Sequence, residues 1–348
     1  MTHRENWLRA IDFRNPEWIP CDVALGPLAW HRHRENLEAL VLRHPRLFRD
    51  FKPGSVKYDE FPPFYRGGER NRDNWGCVWY NAIGGIEGQV VESPLADWNA
   101  LRTYRPPDPR TKAERSDRDW NEIRRRVAER KQRGELIWAD GERLFDRMYF
   151  LRGFENLMRD IAKDDPHLPP FIDMLLDYSL RLVKMWLELD PDVIGFHTDI
   201  GTQQSLMISP AKFRKYIKPF FKEIFQTCRK GGARVGLSSD GNLLSIVDDL
   251  IECGISSHDP QFRACTLDGI VQAYKGKVCA NVDLDRQMFA FCTPQDIDQQ
   301  VRDVVERMSL PQGGLMVCGT MWDQLTPLEN IEALCVALEK YCLKTDGK

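Results

Sequence analysis

Two consecutive apolar runs of this chain end in small polar and ionisable residues. Val235-Gly236-Leu237 breaks into Ser238-Ser239-Asp240-Gly241-Asn242, and the run at Ile255 gives way to His258-Asp259-Pro260-Gln261. The habit recurs at Asp140 and Glu142, at His197 and Asp199, at Asp283 and Asp285, and at Cys318. Carboxyls, imidazoles and thiols are the groups that move protons and hold divalent metals. Residues this far apart along the chain can share such chemistry only if a fold gathers them.

The gathering elements are legible as alternating strands and helices. Strands are predicted at Trp18–Leu25, Leu136–Asp140, Val193–Asp199, Arg234–Ser239, Ile255–Asp259, Val278–Asp283 and Leu315–Cys318. Ser209-Pro210 opens an amphipathic helix carrying Phe213, Tyr216, Ile217, Phe220, Ile224 and Cys228, and Gly231-Gly232 stops it. Thr293-Pro294 and Thr326-Pro327 open two more. In each case the hydroxyl can accept from a free first-turn amide, and proline takes a position whose N–H would lack a partner anyway. Pro219 should kink the first of these helices.

Regular strand–helix alternation implies parallel strands joined by crossovers. Eight such units close into a (β/α)8 TIM barrel, an α/β fold whose chemistry sits at the C-terminal ends of the strands. That accounts for the polar strand ends. The first half is less regular and reads as an N-terminal excursion on one domain spanning residues 1–348. Residues 74–91 alternate aromatic and polar types around Gly84-Gly85, the pattern of an inserted antiparallel hairpin. The charge-rich stretch 110–133 reads as an exposed helix.

With 42% hydrophobic residues in 348, the chain can bury a large core. A net charge of −3 gives no reason to expect nucleic acid or an acidic membrane as partner. No apolar run reaches the ~20 residues of a bilayer span, and MTHRENWLRAIDF lacks a secretory signal. A cytoplasmic protein is expected. The ten cysteines form no CxxC pair, and most are expected to be small buried hydrophobes.

The blocks RENWLRAIDFRNPEWIPCD, DPDVIGFHTDIGTQQSLMISPAKFRKYIKPFFKEIF, SSDGNLLSIVDDLIECGI, VDLDRQ and TPLENIEAL resemble the uroporphyrinogen decarboxylase superfamily. The resemblance implies the same barrel. The family's decarboxylases carry an arginine-rich segment after the first strand; here that stretch is ALGPLAWHRH, with Arg32 and Arg34 out of place. Trp75-Gly76-Cys77 and GELIWADGERLFDRMYFLRGFENLM are similar to the corrinoid-dependent methyltransferases instead. Those relatives pass a methyl group between a methylated donor, the cobalamin of a separate corrinoid protein and an acceptor thiol. Many hold zinc through a His-x-Cys pair and a later Cys. In this chain the pair is Ser238 and Asp240, and Cys318 lies near the later position.

The resemblance therefore implies an O-demethylase component that moves a methyl group from a small methoxylated compound, aromatic by analogy with the O-demethylase relatives, to a corrinoid protein. Ether cleavage needs help for the departing oxygen, from a Lewis acid or a proton donor. Asp240, His258 and Cys318 are the expected zinc ligands. Asp199, Asp283 and His197 are the expected catalytic groups, and Asn242 and Gln261 are expected to face the cofactor. Blander roles stay open: His197 as a hydrogen-bonded barrel histidine, Asp240-Gly241 as a helix cap, Asp283 and Asp285 as hydrogen-bonding groups of the barrel mouth. A metal-independent decarboxylase and a non-catalytic binding barrel are the alternatives. A homodimer is a family expectation.

Overall fold

The computed structural model describes residues 1–323 and 325–343. Its centre is a curled parallel sheet of seven strands: β1 (Cys21–Leu25), β5 (Trp138–Arg143), β6 (Val193–His197), β7 (Arg234–Ser238), β8 (Ser257–His258), β9 (Cys279–Asp283) and β10 (Leu315–Met321). Their spatial order is β1-β10-β9-β8-β7-β6-β5. The remaining strands, β2 (Arg70–Arg72), β3 (Val78–Tyr80) and β4 (Gln89–Glu92), form a separate antiparallel sheet. The α/β barrel architecture is the expected one. Among the described residues it has seven hydrogen-bonded strands rather than eight, and no ladder joins β1 to β5.

Outside the sheet the helices form a continuous layer. Leu168–Leu187 packs on Lys218–Lys230, which packs on Val247–Cys253, while Pro294–Met308 packs on Leu328–Tyr341. The apolar stripe of Lys218–Lys230 (Phe221, Ile224, Phe225, Cys228) is buried against the strands, as its spacing predicts. Nine of the ten cysteines are buried, Cys292 excepted. At the N-terminal end of the strands the helix His3–Ile11 acts as a plug. Ala10 and Ile11 pack on Val193, Cys279 and Met316, and Asp12 accepts from Arg234 Nε at 2.8 Å.

Helix starts follow the sequence signals in two cases of three. Ser209 accepts from the amide of Lys212, and Thr293 forms a capping box with Asp296. Thr326 does not cap: its hydroxyl donates to Asp323, and the helix begins at Leu328. The irregularity expected from Pro219 is a π-turn, Phe213–Ile217, just before the proline. Pro219 has no N–H to return to the preceding turn, so a wider turn costs less there.

The excursion is anchored through charge. Residues 74–91 do contain an antiparallel pair, β3 with β4, and β2 extends it. Of the stretch 110–133 only Trp120–Gln132 is helical. Arg147, fully buried, ties these pieces to the barrel. Its Nε donates to Glu142 at 2.9 Å, and its guanidinium lies 3.5 Å from Glu114 and 3.8 Å from Asp73 and covers the Trp75 ring at 4.4 Å.

Candidate active site

Side chains alternate between the two faces of a strand, and in a barrel one face looks inward. Gly195 and Gly236 face inward across Trp138. A Cβ on Gly236 would stand 2.6 Å from the indole, and one on Gly195 would collide with its Nε1. Two strands thus give up side chains so that one large ring can lie across the chamber. An interior cavity of about 70 Å³ is bounded by Trp138, Trp7, Ser257, Asn281 and Met316 among others.

One layer higher stand His197, Ser238, Asp259, Asp283 and Cys318. Ser238 Oγ donates to Asp259 Oδ2 at 2.6 Å, and the Ser239 amide donates to Oδ1 at 3.0 Å. Burial nevertheless pushes the Asp259 carboxyl well above the usual range. Asp283 ends β9 opposite Cys318. Burial raises its pKa to about 6, against the pull of Arg286 3.8 Å away. Asp22 stands beside Cys318 on the other side. Its Oδ1 has no hydrogen-bond partner among the described residues, and burial together with Asp283 raises it to about 6. Cys318, only 6 % exposed among these carboxyls, is held as the thiol.

His197, at the end of β6, is exposed. The surrounding protein, and then Arg143, depress its pKa and favour the neutral ring. Asp199 follows it, accepting the Asp240 amide at 2.9 Å and giving its own amide to Asp146 Oδ1 at 2.7 Å. Tyr149 donates to the same Asp146 oxygen at 2.8 Å. Burial and the Asp199 charge bring Asp146 to about 7. Both acids line a cavity of about 420 Å³ with Tyr149, Phe150, Phe154 and Arg143. Asp146 escaped the sequence reading because it opens a helix, Phe145–Arg152, rather than ending a strand. Its position one turn after β5 was the available signal.

The expected zinc ligands are not assembled. His258 points away from the chamber: its neighbour Asp259 faces inward, and its ring stacks on Tyr274 of the outer helix Leu267–Tyr274, with Nδ1 2.9 Å from the phenol. Asp240 is exposed and accepts from Arg286 at 2.8 Å. Cys318 lies deep in the chamber. Among the described residues no group of three or more His, Cys, Asp and Glu is arranged to hold a metal ion. Asp240, His258 and Cys318 therefore do not fit a shared zinc.

The expected cofactor contacts are also engaged otherwise. Asn242 Nδ2 donates to the Ala264 carbonyl and its Oδ1 accepts from Leu244. Gln261 Oε1 accepts the Gly241 amide at 2.8 Å. Both shape loops. Gly241 itself must be glycine: its φ is +92°, and a Cβ would run into the Gly201 backbone. Asp240 caps no helix. Asp285 pairs with Arg263, Glu142 with Arg147, and the Asp140 carbonyl accepts from Trp186.

The family model for uroporphyrinogen decarboxylase matches residues 143–341, more than half of the chain. The chain belongs to the uroporphyrinogen decarboxylase family. Its fold also matches a methyltransferase from Methanosarcina mazei at TM-score 0.62 and 15% identity, over 97% of this chain and 98% of that one. Weaker likenesses are to a D-psicose 3-epimerase (TM-score 0.39, 10% identity, 65% of this chain and 85% of that one) and to a 3-keto-L-gulonate-6-phosphate decarboxylase from Vibrio cholerae (0.28, 11%, 47% and 67%). No curated protein matches the chain. Among the described residues no helix is long and apolar enough to cross a membrane.

Proposed function

We propose that the protein is a methyltransferase that moves a methyl group from a small methoxylated donor to the corrinoid of a separate protein. The observation that carries this reading is the balance of groups at the mouth. Asp146, Asp199, Asp259 and Asp283 are all raised above the usual carboxylate range, while Arg143 and Arg286 are already paired with Glu87 and Asp240. Among the described residues, a substrate with many carboxylates would meet cations that are already paired there, so the decarboxylase reading is disfavoured. A departing oxygen would find proton donors.

The residues then divide the work. Trp138 floors the chamber, and acids whose pKa values are raised supply the proton that the departing oxygen takes up. Proton donation needs no step through a resident metal. The corrinoid enters as a second substrate and receives the methyl group. An exposed apolar rim supports docking of its carrier: Phe291, Trp322 and Leu325, in the loops after β9 and β10, are 83%, 49% and 53% exposed. The full-length fold likeness to a methyltransferase supports the same reading.

The test mixes purified protein, a reduced corrinoid protein and a panel of methoxylated donors, and follows the corrinoid absorption spectrum. Growth of the methylated form, dependent on donor and enzyme, is expected. Carbon dioxide release from a porphyrinogen without any corrinoid, and no methylation, would sink the proposal.

A further inference from the structure

We infer that Asp146 is the catalytic proton donor of this site, with Tyr149 as a positioning residue and Asp199 as its charge partner; the inference rests on the methyl-transfer reading. Its hydrogen bonds are one-sided. Tyr149 Oη–H and the Asp199 N–H both point at Oδ1, at 2.8 and 2.7 Å. A neutral carboxyl has one acceptor-only oxygen and one that carries the proton. Two donors on Oδ1 make it the acceptor and leave the proton on Oδ2, which has no hydrogen bond among the described residues.

The surroundings favour the neutral form. Asp146 is 4 % exposed, yet it lines the 420 Å³ cavity together with Asp199. Two neighbouring carboxyls do not readily both ionise. The cation facing them, Arg143, is held by Glu87 at 2.8 Å and Glu114 at 3.2 Å. Burial and Arg143 lower the His197 pKa, and the Asp240 charge adds to burial in raising Asp199, with Arg143 and Arg286 opposing. The result is a carboxyl that titrates at about 7, the range in which a general acid works best at neutral pH.

The step balances without a further reactant. The electron pair of reduced cobalt on the corrinoid substrate forms the new bond to the methyl carbon. The carbon–oxygen bond breaks with its pair staying on oxygen. That oxygen takes the Oδ2 proton of Asp146, leaving a carboxylate that is reprotonated from solvent.

Three variants, Asp146→Asn, Tyr149→Phe and Asp199→Asn, test this. Asp146→Asn should lower kcat about 10²-fold or more, and the loss should grow with the basicity of the departing oxygen. Wild-type activity should fall as pH rises through about 7, because only the protonated acid works. Tyr149→Phe removes a hydrogen bond that favours the carboxylate and should move that limb upward; Asp199→Asn removes a negative neighbour and should move it downward. A loss independent of the leaving group, or unmoved limbs, would overturn the assignment. Independently of activity, an infrared difference spectrum between pH 6 and pH 8.5 should show a protonated-carboxyl band absent from Asp146→Asn. If no donor is turned over, the methyl-transfer reading fails by itself, and absence of that band would overturn the protonation claim as well.

Discussion

The imidazole of His258 lies 2.9 Å from the hydroxyl of Tyr274 with the two rings 8° from parallel, joining a barrel strand to an outer helix. This makes His258 a structural residue. Tyr274→Phe leaves Nδ1 without its buried partner and should cost about 1–3 kcal/mol, read as a lower midpoint in denaturant. The specific activity of the folded fraction should not change.

The same histidine sets an acid limit. Burial lowers its pKa to about 3, against 6.5 when exposed. The unfolded chain therefore binds its proton first, and stability is lost as pH falls from about 6.5 towards 3. Melting curves across that window should be flatter in His258→Gln than in wild type.

Asp22 has the opposite sign. Its folded pKa is raised to about 6, so the folded chain keeps the proton longer. The destabilisation appears as pH rises above about 4 and is complete above about 6. Asp22→Asn should raise the melting temperature at pH 8 and change it little at pH 4.

Trp138 owes its position to two missing side chains. Gly236→Ala puts a methyl group 2.6 Å from the indole. The ring must move, at a cost of about 1–3 kcal/mol, with a shifted fluorescence maximum as the measurement.

Arg147 holds the excursion to the barrel through Glu142, Glu114 and Asp73. Arg147→Met leaves the buried Glu142 without its ion-pair partner and should cost about 3–5 kcal/mol. Proteolysis should then cut first in the segment carrying β2–β4.

The strands of the second half were legible because apolar runs and capping signals recur at regular intervals. Segment ends shifted by one to three residues; the strand predicted at 255–259 shrank to Ser257–His258, and that at 315–318 runs on to Met321. The metal site was misread for a geometric reason. Adjacent residues of a strand face opposite ways, so His258 and Asp259 cannot both serve the chamber. Gly236 and Ser238, paired alongside, carried that parity. Asp146 was missed because Asp146-Arg147 reads as an ordinary charged pair on a helix, and only packing shows both buried. Residues 26–137 lack an apolar run that would announce an eighth strand, and none forms.

A ring of strands bonded all the way round has a circumference fixed by its ladders. Here β1 and β5 can separate or approach without breaking a backbone bond between them. The breadth of the chamber along that seam is therefore set by side-chain packing rather than by a backbone ladder.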